Sequence, residues 1–144
     1  MKTLVVRSRV KGRLVIRAIA SEADDGGKDP CAVLKFMQEQ LNAWPTEAVK
    51  LGALLADIAE NGLPCPHDDT KFKKLASTDG LFEFRSSAQG LRVICFWDEQ
   101  LIICTHGYVK EGQKAPKNEL DRGQRLMREY FEAKKAGALT HAEA

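Results

Sequence analysis

Short runs in which hydrophobic and polar residues alternate occur in two separate parts of the chain. They cover residues 3–9, 13–19, 81–85, 91–97 and 101–108. Alternation with period two and many β-branched or aromatic residues is typical of strands. The first two runs predict an N-terminal strand pair or one long bent strand. The last three are separated by the short connectors SSAQG and DEQ, which predict antiparallel hairpins and therefore a three-stranded meander.

Apolar residues recur at helical spacing in three further stretches, over residues 30–42, 47–60 and 116–136. Asp29 and Pro30 are a favourable helix start, because Asp accepts hydrogen bonds as an N-cap and Pro fits the first helical position. The first two stretches follow each other closely, so they predict a helical hairpin with one stripe facing a sheet. The third predicts a C-terminal helix.

The order of these elements predicts an α+β fold, in which helices pack against an antiparallel β-sheet. At 144 residues the chain is expected to form a single domain over residues 1–144. Gly123 lies on the apolar stripe of the last helix, where glycine costs about 1 kcal/mol relative to alanine. Such a glycine is expected where the helix and the sheet approach each other closely.

The formal net charge is only +2, but the charge is unevenly distributed. Residues 31–70 contain 2 basic and 6 acidic residues, whereas residues 71–128 contain 11 basic and 7 acidic residues. One interpretation is a basic face that binds phosphates. The other is a mixed, solvated surface, and charge alone does not decide between them.

The remaining composition indicates a cytoplasmic protein without a membrane segment, a signal peptide, a metal or a cofactor. No apolar run approaches the roughly 20 residues that span a bilayer. Basic residues interrupt the N-terminal segment, which therefore lacks the apolar region of a signal peptide. The four cysteines are 34, 30 and 9 residues apart, which fits no zinc pattern. His67 is followed by two aspartates but by no further ligand at a suitable spacing.

An ordered set of segments in the second half of the chain carries a family resemblance. The segments are KFKKL (71–75), GLFEFR (80–85), GLRVICFWD (90–98) and THGYVKEGQKAP (105–116), followed by a basic helix. This set resembles the HigB-type branch of the RelE/ParE toxin superfamily, a branch of phage-derived host-growth-inhibition proteins. The resemblance implies a RelE-like fold and the toxin of a type II toxin–antitoxin system. It further implies an endoribonuclease that cleaves mRNA in the ribosomal A site and a helix-turn-helix antitoxin as its partner.

Metal-free RNA cleavage requires three things that basic side chains can supply. The 2′-hydroxyl must lose a proton, the negative charge on the attacked phosphate must be stabilised, and the leaving 5′-oxygen must gain a proton. Strand alternation places Glu83 and Arg85 on one face, opposite the flanking phenylalanines. The resemblance implies that Arg85 holds the scissile phosphate, which its planar guanidinium suits, and a surface pair with Glu83 is the alternative. The predicted catalytic residues are Arg85, Arg92, His106 and Lys74.

A second group of residues is predicted to bind RNA without taking part in the chemistry. It contains Lys73, Tyr108, Lys110, Lys114, Arg122 and Arg125. Tyr108 is a candidate for stacking on a base, and the cations are candidates for contacts with phosphates. Continuous alternation along the third meander strand places His106 and Tyr108 on the same face as Ile102 and Cys104. For each residue, a packed or solvated side chain without function is the alternative.

One departure from the resembling branch bears on activity. The loop after the third meander strand often carries two adjacent lysines in that branch, whereas this chain has Lys110 followed by Glu111. A carboxylate in this loop would repel the phosphates of a bound RNA. This departure favours an inactive prophage remnant as an alternative function. Two others remain open: a protein-binding toxin of the same fold, such as a topoisomerase inhibitor, and an RNA-binding module without catalytic activity.

Overall fold

The computed structural model describes residues 1–7, 15–20, 31–62, 70–112 and 115–142. The strands are β1 (Lys2–Arg7), β2 (Val15–Ala20), β3 (Phe72–Lys74), β4 (Phe82–Arg85), β5 (Leu91–Asp98), β6 (Leu101–Val109) and β7 (Thr140–His141). The helices are α1 (Ala32–Ala43), α2 (Pro45–Asn61) and α3 (Lys117–Lys135). The predicted α+β class, helical hairpin, meander and C-terminal helix are confirmed. The predicted start of α1 at Asp29 and Pro30 lies outside the described residues.

The strands form one mixed sheet in the order β3-β4-β5-β6-β2-β1-β7. The pairs β1–β2, β3–β4, β4–β5 and β5–β6 are antiparallel, but β2–β6 and β1–β7 are parallel. The prediction of a purely antiparallel sheet is therefore wrong. A parallel pair needs a long crossover, and the helical hairpin between β2 and the meander supplies one.

Two strands, β3 and β7, were not expected from the sequence. β3 is only three residues long and contains two lysines, so it lacks an alternating pattern that would identify it. Its pairing with β4 places Lys73 opposite Glu83 and Lys74 opposite Phe82. Lys73 and Lys74 therefore belong to the edge of the sheet instead of preceding it.

Apolar residues fill the space on both faces of the sheet. One cluster lies between the sheet and α1 and α2, and it includes Phe84, Val93 and Cys104. The other lies between the sheet and α3, and it includes Ile94, Phe96 and Tyr130. We call these the hairpin face and the α3 face of the sheet.

Helix α3 is fixed to the sheet at both of its ends. A Cβ atom at Gly123 would lie 3.0 Å from side-chain carbons of both Ile94 and Leu81, which confirms the predicted close approach. Near the other end, the Tyr130 hydroxyl donates a hydrogen bond of 2.6 Å to Asp98, and the Lys134 ammonium donates one of 2.7 Å to the same carboxylate.

A bulge in β6 changes which side chains face α3. The register passes from Ile94 opposite His106 to Cys95 opposite Cys104, so Thr105 has no partner in β5. One extra residue in a strand reverses the alternation of the side chains beyond it. The predicted common face of His106 and Tyr108 with Ile102 and Cys104 is therefore wrong.

The two clusters and a glycine confirm the reversal at the bulge. Cys104 belongs to the hairpin-face cluster, whereas Tyr108 belongs to the α3-face cluster. A Cβ atom at Gly107 would collide with the ring of Phe36 in α1, so Gly107 is on the hairpin face. His106 and Tyr108 thus join the α3 face, where Arg85 also lies.

None of the described helices is both long and apolar enough to cross a membrane.

Candidate functional site

Strands β3 to β6 bring four cations together on the α3 face of the sheet. Lys73 is opposite Glu83, Arg85 is opposite Arg92, and Arg92 is opposite Tyr108. Lys110 follows the end of β6. Burial lowers the pKa of Lys110, and so do the charges of Arg92, Arg85 and Lys73, which places the four cations within electrostatic reach of each other. We call Lys73, Arg85, Arg92 and Lys110 the basic cluster.

A buried carboxylate, Glu83, lies at the centre of the basic cluster. Its Oε2 accepts a hydrogen bond of 2.9 Å from the Tyr108 hydroxyl. Its Oε1 lies 3.6 Å from Nε of Arg85 and 3.5 Å from Nε of Arg92. A buried carboxylate is costly unless it is paired, and Glu83 meets that condition through two guanidinium groups and one hydroxyl.

Arg92 is enclosed in the protein and braces the turn between β4 and β5. Its side chain has 0% exposure. The guanidinium donates hydrogen bonds to the carbonyl oxygens of Ser87 at 2.8 Å, Ala88 at 2.9 Å and Leu91 at 3.1 Å. Burial lowers its pKa, and the nearby charge of Arg85 lowers it further. Arg92 was predicted to be catalytic, but this position gives it contacts with the backbone and not with solvent.

Arg85 differs from Arg92 in exposure. Its side chain retains 15% exposure and lies at the end of β4, beside the turn that Arg92 braces. The backbone N–H of Arg85 donates a hydrogen bond of 2.8 Å to the carbonyl of Lys71, which joins Arg85 to the start of β3. Arg85 is therefore a guanidinium that reaches solvent from a backbone fixed on both sides.

The turn of residues 86–90 is held by several elements. The Ser87 hydroxyl donates to the carboxylate of Glu47 in α2. The Ser86 hydroxyl accepts a hydrogen bond of 2.8 Å from the N–H of Leu91, and the N–H of Lys110 donates one of 3.0 Å to the carbonyl of Gly90. These contacts connect the basic cluster to the helical hairpin and to β6, so its backbone is preorganised.

His106 lies on the same face as the basic cluster but beneath α3. Its side chain is 1% exposed, and Nδ1 is 2.9 Å from the Thr105 hydroxyl. Nε2 is 3.8 Å from the carboxylate of Glu119. Burial, together with the nearby positive charges of Arg122 and Arg125, lowers the pKa of His106 to about 4. At neutral pH the imidazole is therefore uncharged and enclosed, which agrees with the packed side chain that was the alternative to the predicted catalytic role.

Acidification is expected to destabilise the fold through His106. The folded-state pKa of about 4 lies below the ordinary value of 6.5, so the unfolded chain binds the proton first between these two values. The free energy of unfolding should therefore fall as the pH drops from 6.5 towards 4, by up to roughly 3 kcal/mol. Urea unfolding at pH 7 and pH 5 measures about 2 kcal/mol of this loss, the part that falls between those two pH values. His106→Gln, which cannot titrate, is the control, and an equal loss in that variant would contradict the assignment.

The remaining predicted residues are divided between the two faces. The ring of Tyr108 is 6% exposed, and its hydroxyl is committed to Glu83, which together with burial raises the pKa of the phenol. The prediction that Tyr108 stacks on an RNA base is therefore not supported, because its ring is buried. Lys74, opposite Phe82, lies on the hairpin face and is separated from Arg85. Lys114 lies outside the described residues.

Arg122 and Arg125 are exposed on the N-terminal half of α3. Their effect on the pKa of His106 places them next to the α3 face of the sheet. They therefore border the side of the molecule on which the basic cluster lies, and they extend its positive charge.

Cys31, Cys95 and Cys104 are buried, and burial raises the pKa of Cys95 and Cys104. Among the described residues, no group of three or more His, Cys, Asp or Glu side chains is arranged to hold a metal ion. His67 and the two aspartates after it lie outside the described residues.

Comparison with models of protein families identifies a family to which this chain is related. The model of the phage-derived Gp49-like protein family matches residues 39–128. The chain belongs to this family. It is a family of RelE/YoeB-type toxins, and the matched range contains the whole basic cluster and Glu83.

A search of solved structures finds a similar chain in the YoeB dimer from Staphylococcus aureus. The TM-score is 0.45 and the sequence identity is 19%, with 70% of this chain and 99% of that chain covered. No curated protein matches the chain.

Proposed function

We propose that this chain is the toxin of a type II toxin–antitoxin system and that it cleaves mRNA on the ribosome without a metal ion. The observation that carries the proposal is the basic cluster, in which Arg85 reaches solvent from a braced strand end. Family membership supports the toxin, and the cluster supports phosphate chemistry. Cations held on a rigid sheet suit a phosphate that gains negative charge during cleavage.

The residues of the cluster suit different parts of the reaction. Arg85 stabilises the negative charge on the attacked phosphate, since its planar guanidinium matches phosphate oxygens. Lys73, exposed on the edge strand, binds the RNA backbone. Lys110 is the candidate for proton transfer, because its pKa is lowered while its side chain remains partly exposed. Arg92, His106 and Tyr108 support this arrangement from the interior.

The wider contacts follow from the same proposal. The substrate is an mRNA in the ribosomal A site, and the exposed Arg122 and Arg125 contact RNA beside the cluster. A helix-turn-helix antitoxin neutralises the protein. The order of the strands and helices, together with the sequence segments between residues 71 and 116, supports assigning the chain to the HigB-type branch with a RelE-like fold.

A second candidate, a toxin that binds a protein target, is favoured by one surface. Leu41, Trp44 and Val49 are 53%, 38% and 62% exposed, and all three lie on the helical hairpin. A groove of about 430 Å³ runs between α1 and α2 and is lined by Met37, Leu41, Ala48, Val49, Gly52, Ala53 and Ala56. Exposed apolar surface of this kind marks protein contacts. A toxin of this class would act without the basic cluster.

Expression from a tightly repressed promoter tests the two candidates together. The 5′ ends of a reporter mRNA are mapped by primer extension after induction, and the same reporter without a start codon is the control. Growth arrest with new ends only in the translated reporter is the expected result. Growth arrest without new ends would favour the protein-binding toxin. Normal growth without new ends would indicate an inactive remnant, and ends in both reporters would rule out dependence on the ribosome.

A further inference from the structure

Glu83 has a position that the proposed chemistry does not by itself require. Its side chain is 3% exposed, so its carboxylate does not reach RNA in this structure. A negative charge at the centre of a phosphate-binding cluster also weakens the attraction for RNA. Both facts exclude a direct role of Glu83 in binding RNA. The presence of a carboxylate at this position therefore needs another explanation.

The contacts of Glu83 supply that reason. The guanidinium groups of Arg85 and Arg92 are on neighbouring strands, and the charge of Arg85 lowers the pKa of Arg92, as expected for two cations that repel each other. One carboxylate oxygen lies between their Nε atoms, at 3.6 Å and 3.5 Å. The other oxygen is held by Tyr108 at 2.9 Å, which fixes the direction of the carboxylate.

We infer that Glu83 is a positioning residue that holds Arg85 in the orientation needed for cleavage, at the expense of RNA affinity. This inference rests on the proposed function. Arg92 is immobilised by three carbonyl oxygens, so it acts as the fixed side of the arrangement. Glu83 then draws the more exposed Arg85 towards that fixed side. Without the carboxylate, repulsion turns Arg85 away from Arg92 and from the phosphate.

The inference predicts that affinity and cleavage change in opposite directions. Glu83→Gln removes one negative charge, so binding to single-stranded RNA should become roughly two- to fivefold tighter at low salt. The cleavage rate at saturating substrate should fall roughly 10- to 100-fold, because a small misplacement of a catalytic group has effects of that size. A residue needed only for folding would lower both quantities.

Two further variants separate charge from position. Glu83→Asp keeps the charge but retracts the carboxylate by one carbon–carbon bond, so binding should stay at the wild-type level while cleavage falls. Glu111→Gln removes an exposed carboxylate in the neighbouring loop, so binding should tighten without slower cleavage. Together they show whether an altered rate follows the charge or the geometry.

The experiment uses the full chain, a short fluorescein-labelled single-stranded RNA for binding and mRNA-programmed ribosomes for cleavage. Thermal melting establishes that each variant is folded at the assay temperature. Wild-type rates in both Glu83 variants would overturn the inference and leave the proposed function intact. Absence of cleavage by the wild-type protein would instead overturn the proposed function and this inference with it.

Discussion

Replacement of Arg85 by alanine is expected to slow mRNA cleavage about 100- to 1000-fold, which is the usual effect of losing one charge-stabilising donor. The expected loss is large because Arg85 is the guanidinium of the cluster that combines solvent exposure with a fixed backbone. The loss should appear in the cleavage rate at saturating substrate, since the developing charge exists only in the transition state. Cleavage of mRNA on programmed ribosomes measures it.

Two variants make the Arg85 measurement specific. Arg85→Lys retains the charge but not the planar pair of donors, so its rate should lie between those of the wild type and Arg85→Ala. Lys74→Ala removes an equal charge from the hairpin face, opposite Phe82, and should cleave within a few-fold of the wild type. A loss in Lys74→Ala as large as that in Arg85→Ala would show that net charge matters and that the α3 face is not the site.

The sequence was sufficient for much of this site because β4 follows a simple rule. Phe82 and Phe84 alternate with Glu83 and Arg85, so the shared face of the last two could be predicted from period two alone. The role of Glu83 in the site was missed, although the same alternation pointed to it. A glutamate between two phenylalanines in a short strand is the signal, because a carboxylate in such a position needs a buried partner.

The sequence was not sufficient at the β6 bulge. The run from Leu101 to Val109 has no residue that marks an interruption, and the bulge follows from how β6 pairs with β5. One unpaired residue, Thr105, moves His106 and Tyr108 to the α3 face. A property set by pairing between strands is not encoded in the periodicity of one strand.

The extent to which each arginine is buried also could not be predicted from the pattern of hydrophobic and polar residues. Arg85 and Arg92 both occur at strand ends next to the same turn, and in sequence they are equivalent candidates. The structure separates them, because the turn of residues 86–90 folds over Arg92 and presents its carbonyl oxygens to that guanidinium. Enclosure by this turn, and not residue type, distinguishes the buried Arg92 from the partly exposed Arg85.

Replacement of Arg92 by alanine is therefore expected to destabilise the fold by about 3–5 kcal/mol, the usual cost of removing one partner from a buried ion pair. The variant leaves Glu83 with less compensation and removes one hydrogen-bond donor from each of the carbonyl oxygens of Ser87, Ala88 and Leu91. Arg85→Ala should cost less stability than Arg92→Ala, since the Arg85 side chain is 15% exposed whereas that of Arg92 is enclosed. Urea unfolding of both variants measures the difference.

The double variant of Glu83 and Arg92 tests the cause of that loss. If the uncompensated carboxylate contributes, Arg92→Met should cost less stability in the Glu83→Gln background than in the wild type, by an interaction energy of about 1–3 kcal/mol. Additive losses would assign the effect to the turn carbonyls alone. Equal stability of Arg92→Ala and the wild type would contradict the bracing role and would return Arg92 to the group of candidate catalytic residues.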